Sequence, residues 1–376
     1  MAKSSWILGE YLNDMISTLT VIGTRPEMIK LAPVLTVLRQ NSRFKNKLCV
    51  TRQHTDLLDP FLVNLGIPVD YHFENHGSQT LHRSAARILE QFDPIFLESK
   101  PDLMIVQGDT TTAFIASLAA YYACVPVAHV EAGLRTGNLY SPWPEEAHRS
   151  LIARLATYSF APTLQAKNAL ISEGISPDKI WVVGNTSIDA IRMARKSVIK
   201  KPKLEKMIVV TVHRRENQGK PLTEICQALR ELIEKFSTLK IKFLMHPNPC
   251  IQNSAIQYLA NLKNIDLIKP LDHPSFIDLL EQSEFIITDS GGVQEEASFL
   301  GKPVLIVRNT TERAEGIFAG TARLVGTNSE SIITVCKELL QNPNVLTAMS
   351  RIHYPYGDGY SAERIVSILL DKLSHG

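Results

Sequence analysis

The stretch Phe285-Ile-Ile-Thr-Asp-Ser-Gly-Gly-Val-Gln-Glu-Glu296 joins a short apolar run to a glycine turn and then to a helical pattern. Its opening run, Phe285–Thr288, is apolar on both faces, as a strand must be when helices cover its sheet on both sides. The same order recurs where Leu103–Gln107 leads into Gly108. Repeated units of this kind predict parallel sheets with right-handed crossovers.

Similar short runs extend along most of the chain and alternate with amphipathic segments such as Leu81–Glu98 and Leu222–Phe236. The other predicted strands are Thr18–Ile22, Leu48–Thr51, Val127–Val130, Tyr158–Ala161, Trp181–Val183, Ile208–Val212, Ile241–Met245, Ile265–Ile268 and Val304–Val307. This alternation predicts an α/β fold.

The strand pattern restarts after a basic stretch that runs from Arg195 to Lys206. We therefore expect two doubly wound, Rossmann-like domains that face each other across a cleft, with ligands at the carboxyl ends of the strands. The expected bounds are an N-terminal extension over 1–16, a first domain over 17–186 and a second over 187–355. A C-terminal helix over 356–376 is expected to pack back on the first domain.

Composition narrows the class of protein. The 376 residues carry a net charge of only +2, which gives no electrostatic support to a nucleic-acid or membrane-surface partner. The five cysteines are scattered, which argues against disulfides and a zinc site and indicates a reducing cytoplasm. The run from Phe114 to Ala128 is too short to span a membrane, and Met1 to Met15 do not resemble a signal peptide.

Polar residues directly after a strand are the functional candidates in such a fold. The first group is Gly23-Thr-Arg-Pro-Glu27, followed by Lys30. Pro26 suits a first helical position, so Arg25 is expected at a helix N-terminus, where an anion is favoured. An ordinary turn with a solvated arginine is the alternative.

Three carboxylates follow later strands or loops of the first half. Asp109 follows Gly108 and either caps a helix or takes part in catalysis. Glu131 comes so soon after a buried strand that it needs a partner, for which Arg135 is one candidate. Glu145 opens a helix after Pro142-Trp-Pro144, where it either complements the helix dipole or acts chemically. Carboxylates that share a cleft shift each other's pKa values, so that one serves as a base and another as an acid.

The second half supplies groups for an anionic ligand. His213 follows a predicted strand beside two arginines, where a histidine is suited to proton transfer or to contact with a phosphate. The Ser290-Gly291-Gly292 turn lets the backbone approach a pyrophosphate, and Glu296 is placed to accept hydrogen bonds from a ribose. A capped helix without a ligand is the alternative. No metal-ligand spacing and no dinucleotide fingerprint occurs, so neither a metal nor a cofactor is predicted.

Taken together and in order, these motifs resemble the bacterial non-hydrolysing UDP-N-acetylglucosamine 2-epimerases. The matching runs are Gly23-Thr-Arg-Pro-Glu, Gln53-His54, Gly108-Asp-Thr-Thr-Thr, His129-Val-Glu-Ala-Gly-Leu-Arg-Thr-Gly, Ser141-Pro-Trp-Pro-Glu-Glu, Gly184-Asn-Thr, His213-Arg-Arg-Glu-Asn, Asp289-Ser-Gly-Gly-Val-Gln-Glu-Glu and Thr310-Thr-Glu-Arg. The resemblance implies a fold like that of the GT-B glycosyltransferases, a homodimer, and interconversion of UDP-N-acetylglucosamine with UDP-N-acetylmannosamine through a 2-acetamidoglucal.

The resemblance also implies roles for particular residues. Asp109, Glu131, Glu145 and His213 match catalytic positions, although which carboxylate is the base and which the acid stays open. The positions that match contacts to the UDP-sugar are Arg25, Lys30, Leu271, Phe276, Ser290, Gly291, Gly292, Glu296 and Arg313.

Three departures from the family pattern stand out. Thr55 replaces an arginine in the run that begins Gln53-His54, where some relatives bind a second UDP-N-acetylglucosamine as an activator, and this puts allosteric activation in doubt. The other two are Gln107 for a histidine and Ala314 for a proline.

Two other interpretations are open. A hydrolysing relative would release free N-acetylmannosamine and UDP, but such enzymes generally depart from the Gly108-Asp-Thr-Thr-Thr and Ser141-Pro-Trp-Pro-Glu-Glu runs. A GT-B glycosyltransferase, or a module that only binds a UDP-sugar, would share the Gly-Gly turn and Glu296. It would not explain three carboxylates at strand ends of the other domain.

Overall fold

The computed structural model describes residues 15–51, 62, 66–74, 80–197, 205–246, 248–352 and 354–374. Over these residues the chain forms two parallel β-sheets, each packed between layers of helices. This is the predicted α/β architecture of two doubly wound units.

The first sheet contains seven strands in the order β3-β2-β1-β4-β5-β6-β7 over the described residues. Its strands are β1 (Ile16–Ile22), β2 (Phe44–Val50), β3 (Tyr71–His72), β4 (Leu103–Gln107), β5 (Val127–Val130), β6 (Tyr158–Ala161) and β7 (Ile180–Val182). The helices between them are α1 (Arg25–Gln40), α2 (Leu81–Glu90), α3 (Asp93–Glu98), α4 (Thr111–Tyr122), α5 (Glu145–Leu155) and α6 (Leu164–Ser172), with a 3₁₀ turn at Pro177–Lys179. We call this unit the first lobe.

The second sheet has six strands in the order β10-β9-β8-β11-β12-β13 in the part of the chain that the structure describes. Its strands are β8 (Met207–Thr211), β9 (Lys240–Leu244), β10 (Ile265–Ile268), β11 (Ile286–Thr288), β12 (Val304–Ile306) and β13 (Ala322–Leu324). Its helices are α8 (Lys220–Lys235), α9 (Pro249–Leu259), α10 (His273–Gln282), α11 (Gly291–Phe299), α12 (Glu315–Phe318), α13 (Ser329–Gln341) and α14 (Pro343–Met349), with a 3₁₀ turn at Arg215–Asn217. We call this unit the second lobe.

Alternate side chains of each strand enter different cores. In β4, Ile105 packs with α1 on one face of the sheet, whereas Met104 and Val106 pack with α4 on the other. Because helices cover both faces of the sheet, the strands are apolar throughout. This is why short apolar runs in the sequence predict them. The bounds of β4, β5, β6 and β10 coincide with the predicted ones.

Two helices connect the lobes. Helix α7 (Thr186–Ser197) follows the first sheet, and its Ile188 and Ile191 join an apolar core of the second lobe. Helix α15 (Ser361–Ser374) follows the second sheet, and its Ile365 and Leu369 are buried in the core around α1. The chain therefore crosses between lobes twice, and the two crossings lie side by side.

The sequence missed some local features. β1 begins at Ile16, two residues before the predicted start, so Ile16 belongs to the sheet and not to the extension. The short strands β3 and β13 were not predicted, because they have two or three residues, partly exposed, and no apolar run. The predicted helical segment Leu81–Glu98 is two helices, since Pro94 lacks an N–H and stands in the first turn of α3.

Candidate active site

The candidate residues of the first lobe meet at one edge of its sheet. Strands β1, β4 and β5 are neighbours and parallel, so their carboxyl ends lie together. Arg25, Asp109 and Glu131 follow these three ends directly. The sheet topology thus gathers side chains that stand more than a hundred residues apart in the chain.

Arg25 is the first residue of α1 and reaches the other lobe. Its Nη2 donates a hydrogen bond of 2.6 Å to the main-chain oxygen of Leu271. Burial lowers the pKa of Arg25, while the carboxylates of Asp272 and Glu296 oppose that shift. Thr24 caps the helix, and Pro26 is its second residue, one position later than predicted. Arg25 therefore links the two lobes at the mouth of the site.

Glu27 is a buried carboxylate that the sequence analysis did not single out. Its oxygens accept hydrogen bonds from the backbone N–H of Gly23 (3.0 Å), from Thr24 Oγ1 (2.7 Å) and from Thr110 Oγ1 (2.6 Å). The Thr24–Glu27 pair is a capping box, and its Thr-x-x-Glu spacing was visible in the sequence. Burial raises the pKa of Glu27 to about 7, against the effect of these hydrogen bonds.

Glu131 lies between cations of both lobes. Its Oε2 forms an ion pair with Lys30 Nζ and accepts a hydrogen bond of 2.9 Å from Asn185 Nδ2, while Arg313 Nη2 lies 3.8 Å from Oε1. Burial raises the pKa of Glu131, but Lys30 and Arg313 outweigh it, and the pKa lies below its ordinary value. The suggested partner Arg135 is wrong.

Arg135 turns away from Glu131 instead. Its Nε and Nη2 donate to the two carboxylate oxygens of Glu173, at 2.7 and 2.9 Å. This bidentate geometry satisfies the guanidinium at Glu173. The sequence offered only the nearest cation along the chain, whereas the partners of Glu131 come from distant segments.

Arg313 is buried among carboxylates. Its Nε donates to Glu295 Oε1 at 2.6 Å, and its Nη1 ion-pairs with Glu312. Lys30 Nζ lies 3.6 Å from Glu295 Oε2, so this network also crosses between the lobes. Burial lowers the pKa of Arg313, but the three neighbouring carboxylates raise it well above its ordinary value. Glu295 and Glu312 were not foreseen as members of the site.

Gly291 makes room for this guanidinium. A Cβ at Gly291 would stand 2.2 Å from Arg313 Nη1 and 2.4 Å from its Cζ. By contrast, a Cβ at Gly292 meets no atom within 4 Å. The two glycines of the predicted turn therefore serve different purposes: the first accommodates Arg313, and the second leaves open space beside the helix terminus.

Asp109 does not cap α4. Thr110 performs that task, since its Oγ1 accepts the N–H of Ala113 at 3.0 Å. The Asp109 carboxylate instead forms an ion pair with Arg149, whose Nη1 lies 3.4 Å from Glu146 Oε2. Arg149 is a second group that the sequence analysis missed. Its position three residues after Glu146 on a helix was the available signal.

Glu145 opens α5, as predicted, beneath a loop with cis peptides before Pro142 and Pro144. Its Oε2 is buried and accepts no hydrogen bond from the described residues. Nearby, the Nδ1 atom of His148 lies 3.0 Å from the main-chain oxygen of Asp109. Burial lowers the pKa of His148, while Asp109 and Glu145 oppose that shift. Glu145 and Asp109 thus border the same imidazole.

His129 supports the same edge from within β5. Its Nε2 lies 2.7 Å from the main-chain oxygen of Gly108, which requires the hydrogen on that nitrogen. Its Nδ1 is buried without a hydrogen-bond partner among the described residues. Burial lowers the pKa of His129 to about 4, so the ring is neutral at pH 7. It joins the end of β5 to the turn that carries Asp109.

The strand ends of the second lobe form the facing wall. The backbone N–H of His213 donates to both oxygens of Asp289, at 3.1 and 3.0 Å, and His213 Nδ1 lies 3.4 Å from Oδ1. The ring stacks on His246 with 5.6 Å between centroids. Burial lowers the pKa of His213 to about 4, although Asp289 opposes this shift. The imidazole is therefore neutral at pH 7.

Helix α11 begins at Gly291, and Ser290 precedes it without a side-chain capping bond. The first N–H groups of a helix lack acceptors within it and favour an anion. Further along α11, Glu296 Oε1 lies 3.2 Å from Nε2 of the buried His273. Phe276, on α10, is partly buried against the apolar core. Of these residues, Glu296 lies close enough to Arg25 for its carboxylate to oppose the lowering of the arginine's pKa.

Some expectations fall elsewhere. Gln53 and His54, the suggested activator site, lie outside the described residues. Over the residues that are described, no group of three or more His, Cys, Asp or Glu side chains is arranged to hold a metal ion. None of the described helices combines the length and apolar character needed to cross a membrane.

Comparison with known proteins agrees with this architecture. Residues 36–370 match the family model described as UDP-N-acetylglucosamine 2-epimerase. The chain is 45% identical to the UDP-N-acetylglucosamine 2-epimerase of Salmonella typhimurium, over 94% of this chain and 98% of that protein. It superimposes on the UDP-GlcNAc 2-epimerase of Neisseria meningitidis bound to UDP-GlcNAc with a TM-score of 0.92 and 41% identity, over 95% of this chain and all of that one.

A third similar structure is the S. aureus MnaA–UDP complex, with a TM-score of 0.91 and 40% identity, over 96% of this chain and 97% of that one. These matches cover both lobes, and their sequence identity is far higher than unrelated proteins share. The chain therefore belongs to the UDP-N-acetylglucosamine 2-epimerase family.

Proposed function

We propose that this protein interconverts UDP-N-acetylglucosamine and UDP-N-acetylmannosamine by eliminating UDP to give a 2-acetamidoglucal and then adding UDP back. The observation that carries the proposal is Glu131, a carboxylate held by Lys30 of its own lobe and facing Arg313 of the other. A carboxylate in this position is suited to act as a base, and the two cations beside it are suited to a diphosphate. The N. meningitidis relative, solved with UDP-GlcNAc bound, supports the choice of substrate.

The first step needs an ionised base. Because Lys30 and Arg313 hold the pKa of Glu131 down, this carboxylate is ionised at neutral pH. Its Oε2 is occupied by Lys30 and Asn185, whereas Oε1 receives no hydrogen bond from the described residues. Glu131 Oε1 accepts the proton from C2 of the sugar. The C2–H electron pair forms the C1=C2 double bond, and the bond from C1 to the diphosphate oxygen breaks.

The departing diphosphate needs positive charge and hydrogen-bond donors on the second-lobe wall. The N-terminus of α11 supplies backbone N–H groups, Arg25 reaches over from α1, and His213 contributes a neutral imidazole donor. UDP thus stays bound while the glucal exposes its other face. The second half of the reaction then reverses the first: a proton adds to C2 on the opposite face, and a UDP oxygen bonds to C1.

Returning the proton on the opposite face needs a second acid–base group. Asp109 and Glu145 are the candidates, because both border His148 on the first-lobe wall. Asp109 is tied to Arg149, while Glu145 Oε2 accepts no hydrogen bond from the described residues. Either carboxyl group, once protonated, has an oxygen from which to donate to C2.

The test is incubation with UDP-N-acetylglucosamine in heavy water, followed by proton and phosphorus NMR. We expect UDP-N-acetylmannosamine to appear, with deuterium at C2 of both sugars and little free sugar. Accumulation of free N-acetylmannosamine and UDP would instead identify a hydrolase. Unchanged substrate without an added acceptor, or product without deuterium, would refute the proposal. Glu131→Gln should be slower by about 100-fold or more, and Glu90→Gln, at an exposed site on α2, serves as its control.

The homodimer implied by the resemblance is also part of the proposal. Exposed apolar side chains on the paired helices α4 and α5, namely Tyr121, Tyr122 and Leu151, support an interface on the first lobe. Light scattering after size exclusion should give twice the mass of one chain. The mass of a single chain at micromolar concentration would contradict this.

A further inference from the structure

The two chain crossings between the lobes touch through their backbones. Gly184 and Gly357 have φ angles of +94° and +118°, which favour glycine. A Cβ at Gly184 would lie 3.1 Å from the Cα of Gly357, and a Cβ at Gly357 would lie 2.9 Å from the Cα of Gly184. Beside them, the N–H of Asn185 donates to the main-chain oxygen of Tyr356 at 2.6 Å. The crossings therefore form one joint.

Asn185 connects this joint to the candidate base. The residue is 1% exposed, and each of its polar groups has a distinct partner. Its Oδ1 accepts the N–H of Ser187 at 3.0 Å, which caps helix α7. Its Nδ2 donates to Glu131 Oε2 at 2.9 Å. The main chain of Asn185 thus contacts the second crossing, while its side chain joins the start of α7 to a carboxylate of the first lobe.

Glu131 has a backbone that needs such support. Its φ angle is +70°, a left-handed conformation that non-glycine residues rarely adopt and that structures retain when their surroundings enforce it. Lys30 keeps the Glu131 carboxylate ionised. Its ammonium group stands on a flexible side chain, however, and does not fix the orientation of the carboxylate. The side-chain amide of Asn185 is fixed in orientation because its oxygen accepts a hydrogen bond from α7, so its N–H groups can donate in only one direction, toward Glu131.

We propose that Asn185 is a positioning residue that aligns the Glu131 carboxylate with C2 of the sugar and ties this alignment to the packing of the two crossings. The inference rests on the proposed function. A change in the angle between lobes moves the crossings, and Asn185 carries that movement to Glu131. The base is then in place when the lobes close on the diphosphate and displaced when they open.

The charged groups around Glu131 define what the loss of Asn185 changes. Lys30 faces it from α1, Arg313 from the segment before α12 and Glu295 from α11, and the neutral ring of His129 comes from β5, the strand that precedes Glu131. Without the amide donor, the two cations keep Glu131 charged, but its orientation is no longer fixed. The carboxylate also loses a hydrogen bond that favours ionisation, so its pKa rises.

Two substitutions test this role while retaining the helix cap. Asn185→Ser keeps a good N-cap oxygen but is too short to reach Glu131, and Asn185→Asp keeps the cap and the shape but replaces the donor by an acceptor. We expect kcat to fall about 10- to 100-fold in both, the typical worth of a hydrogen bond to a charged group. UDP affinity by calorimetry should stay within about twofold, since UDP contacts are untouched.

The pH profile separates positioning from a merely structural effect. The ascending limb of the kcat profile should move to higher pH in both variants, and further in Asn185→Asp, because it adds a negative charge next to Glu131. Asn328→Asp makes the same change at the N-cap of α13, far from the site, and should leave kcat and its profile unchanged.

The inference would be overturned if both variants kept the turnover and the pH profile of the wild type. It would also be overturned if both lost UDP affinity and stability while the ascending limb of the kcat profile stayed at its wild-type pH. Failure of the proposed function is a separate result, since the wild-type enzyme itself would then not epimerise. If Asn185→Asp does not fold, Asn185→Ser still decides the question.

Discussion

Arg149 ion-pairs with Asp109 across the first-lobe wall, joining helix α5 to the end of strand β4. Burial lowers the pKa of Arg149, but Asp109, Glu312 and Glu146 outweigh it, so the guanidinium is firmly charged. Its charge keeps Asp109 in place beside His148. The arginine is thus a positioning residue for one candidate acid–base group, although no strand-end motif marked it.

Replacing Arg149 with glutamine should lower kcat by about 100-fold, because it leaves the Asp109 carboxylate without its partner. Arg149→Lys should lose less, since it retains the charge but not the planar geometry. Steady-state kinetics on UDP-N-acetylglucosamine measure both. Arg154→Gln, on an exposed turn of the same helix, is the control and should keep full turnover. Wild-type kinetics in Arg149→Gln would exclude Arg149 from the site.

Glu27 should make stability depend on pH in a particular direction. Its pKa is about 7 in the folded protein and about 4.5 in an unfolded chain. Below pH 4.5 the carboxyl is protonated in both states. Between pH 4.5 and 7 the unfolded chain ionises first, so the folded state loses stability, by roughly 3 kcal/mol once pH exceeds 7.

Glu27→Gln cannot ionise and should lack this loss. The unfolding free energy of the variant, relative to that of the wild type, should rise by roughly 3 kcal/mol between pH 4.5 and pH 8. The hydrogen bonds that the variant loses affect this difference at both pH values and so do not change the rise. Urea unfolding at the two pH values measures the difference. Glu90→Gln, at an exposed site on α2, corrects for removal of a surface charge. A wild-type-to-variant difference that stays constant with pH would show that Glu27 is ionised throughout.

The sequence was a good guide to the strands and to the polar residues that follow them, because both depend on local patterns. Buried strands are apolar on both faces, and residues that follow neighbouring strands meet at one edge whatever lies between them. Asp109 and Glu131 were found in this way. Two of their partners, Arg149 and Asn185, were not, because they come from a helix and a crossing whose mutual placement only the packed lobes define.

The same reason explains the wrong pairing of Arg135 with Glu131. Distance along the chain suggested it, but β5 and the turn after it direct the two side chains apart, and Glu173 satisfies Arg135. Likewise, the two glycines after Asp289 suggested one function, an approach to pyrophosphate. The structure distinguishes them, since only Gly291 contacts Arg313.

That difference gives a prediction for the glycine pair. Gly291→Ala puts a Cβ within 2.2 Å of a guanidinium that Glu295 and Glu312 hold in place, so the buried ion pairs must break or shift. We expect a loss of roughly 2–4 kcal/mol in unfolding free energy. Gly292→Ala, with open space around its Cβ, should keep wild-type stability and lose affinity for UDP. Calorimetric unfolding and UDP titration separate the two effects. Equal stability of both variants would refute the contact.

His213 provides a final prediction, about which form of the imidazole acts. Since burial holds its pKa at about 4, His213 is neutral at pH 7, and we expect it to assist the leaving diphosphate as a hydrogen-bond donor and not as a cation. His213→Ala should therefore lower kcat by about 100-fold, whereas His213→Asn, which keeps a neutral donor, should lose only about 10-fold. Between pH 6 and 8, the dependence of kcat on pH should be the same in the wild type and in His213→Asn, because His213 does not titrate in this range. If the two dependences differ, or if asparagine is no better than alanine, the imidazolium is the active form and Asp289 must raise the pKa of His213 in the complex.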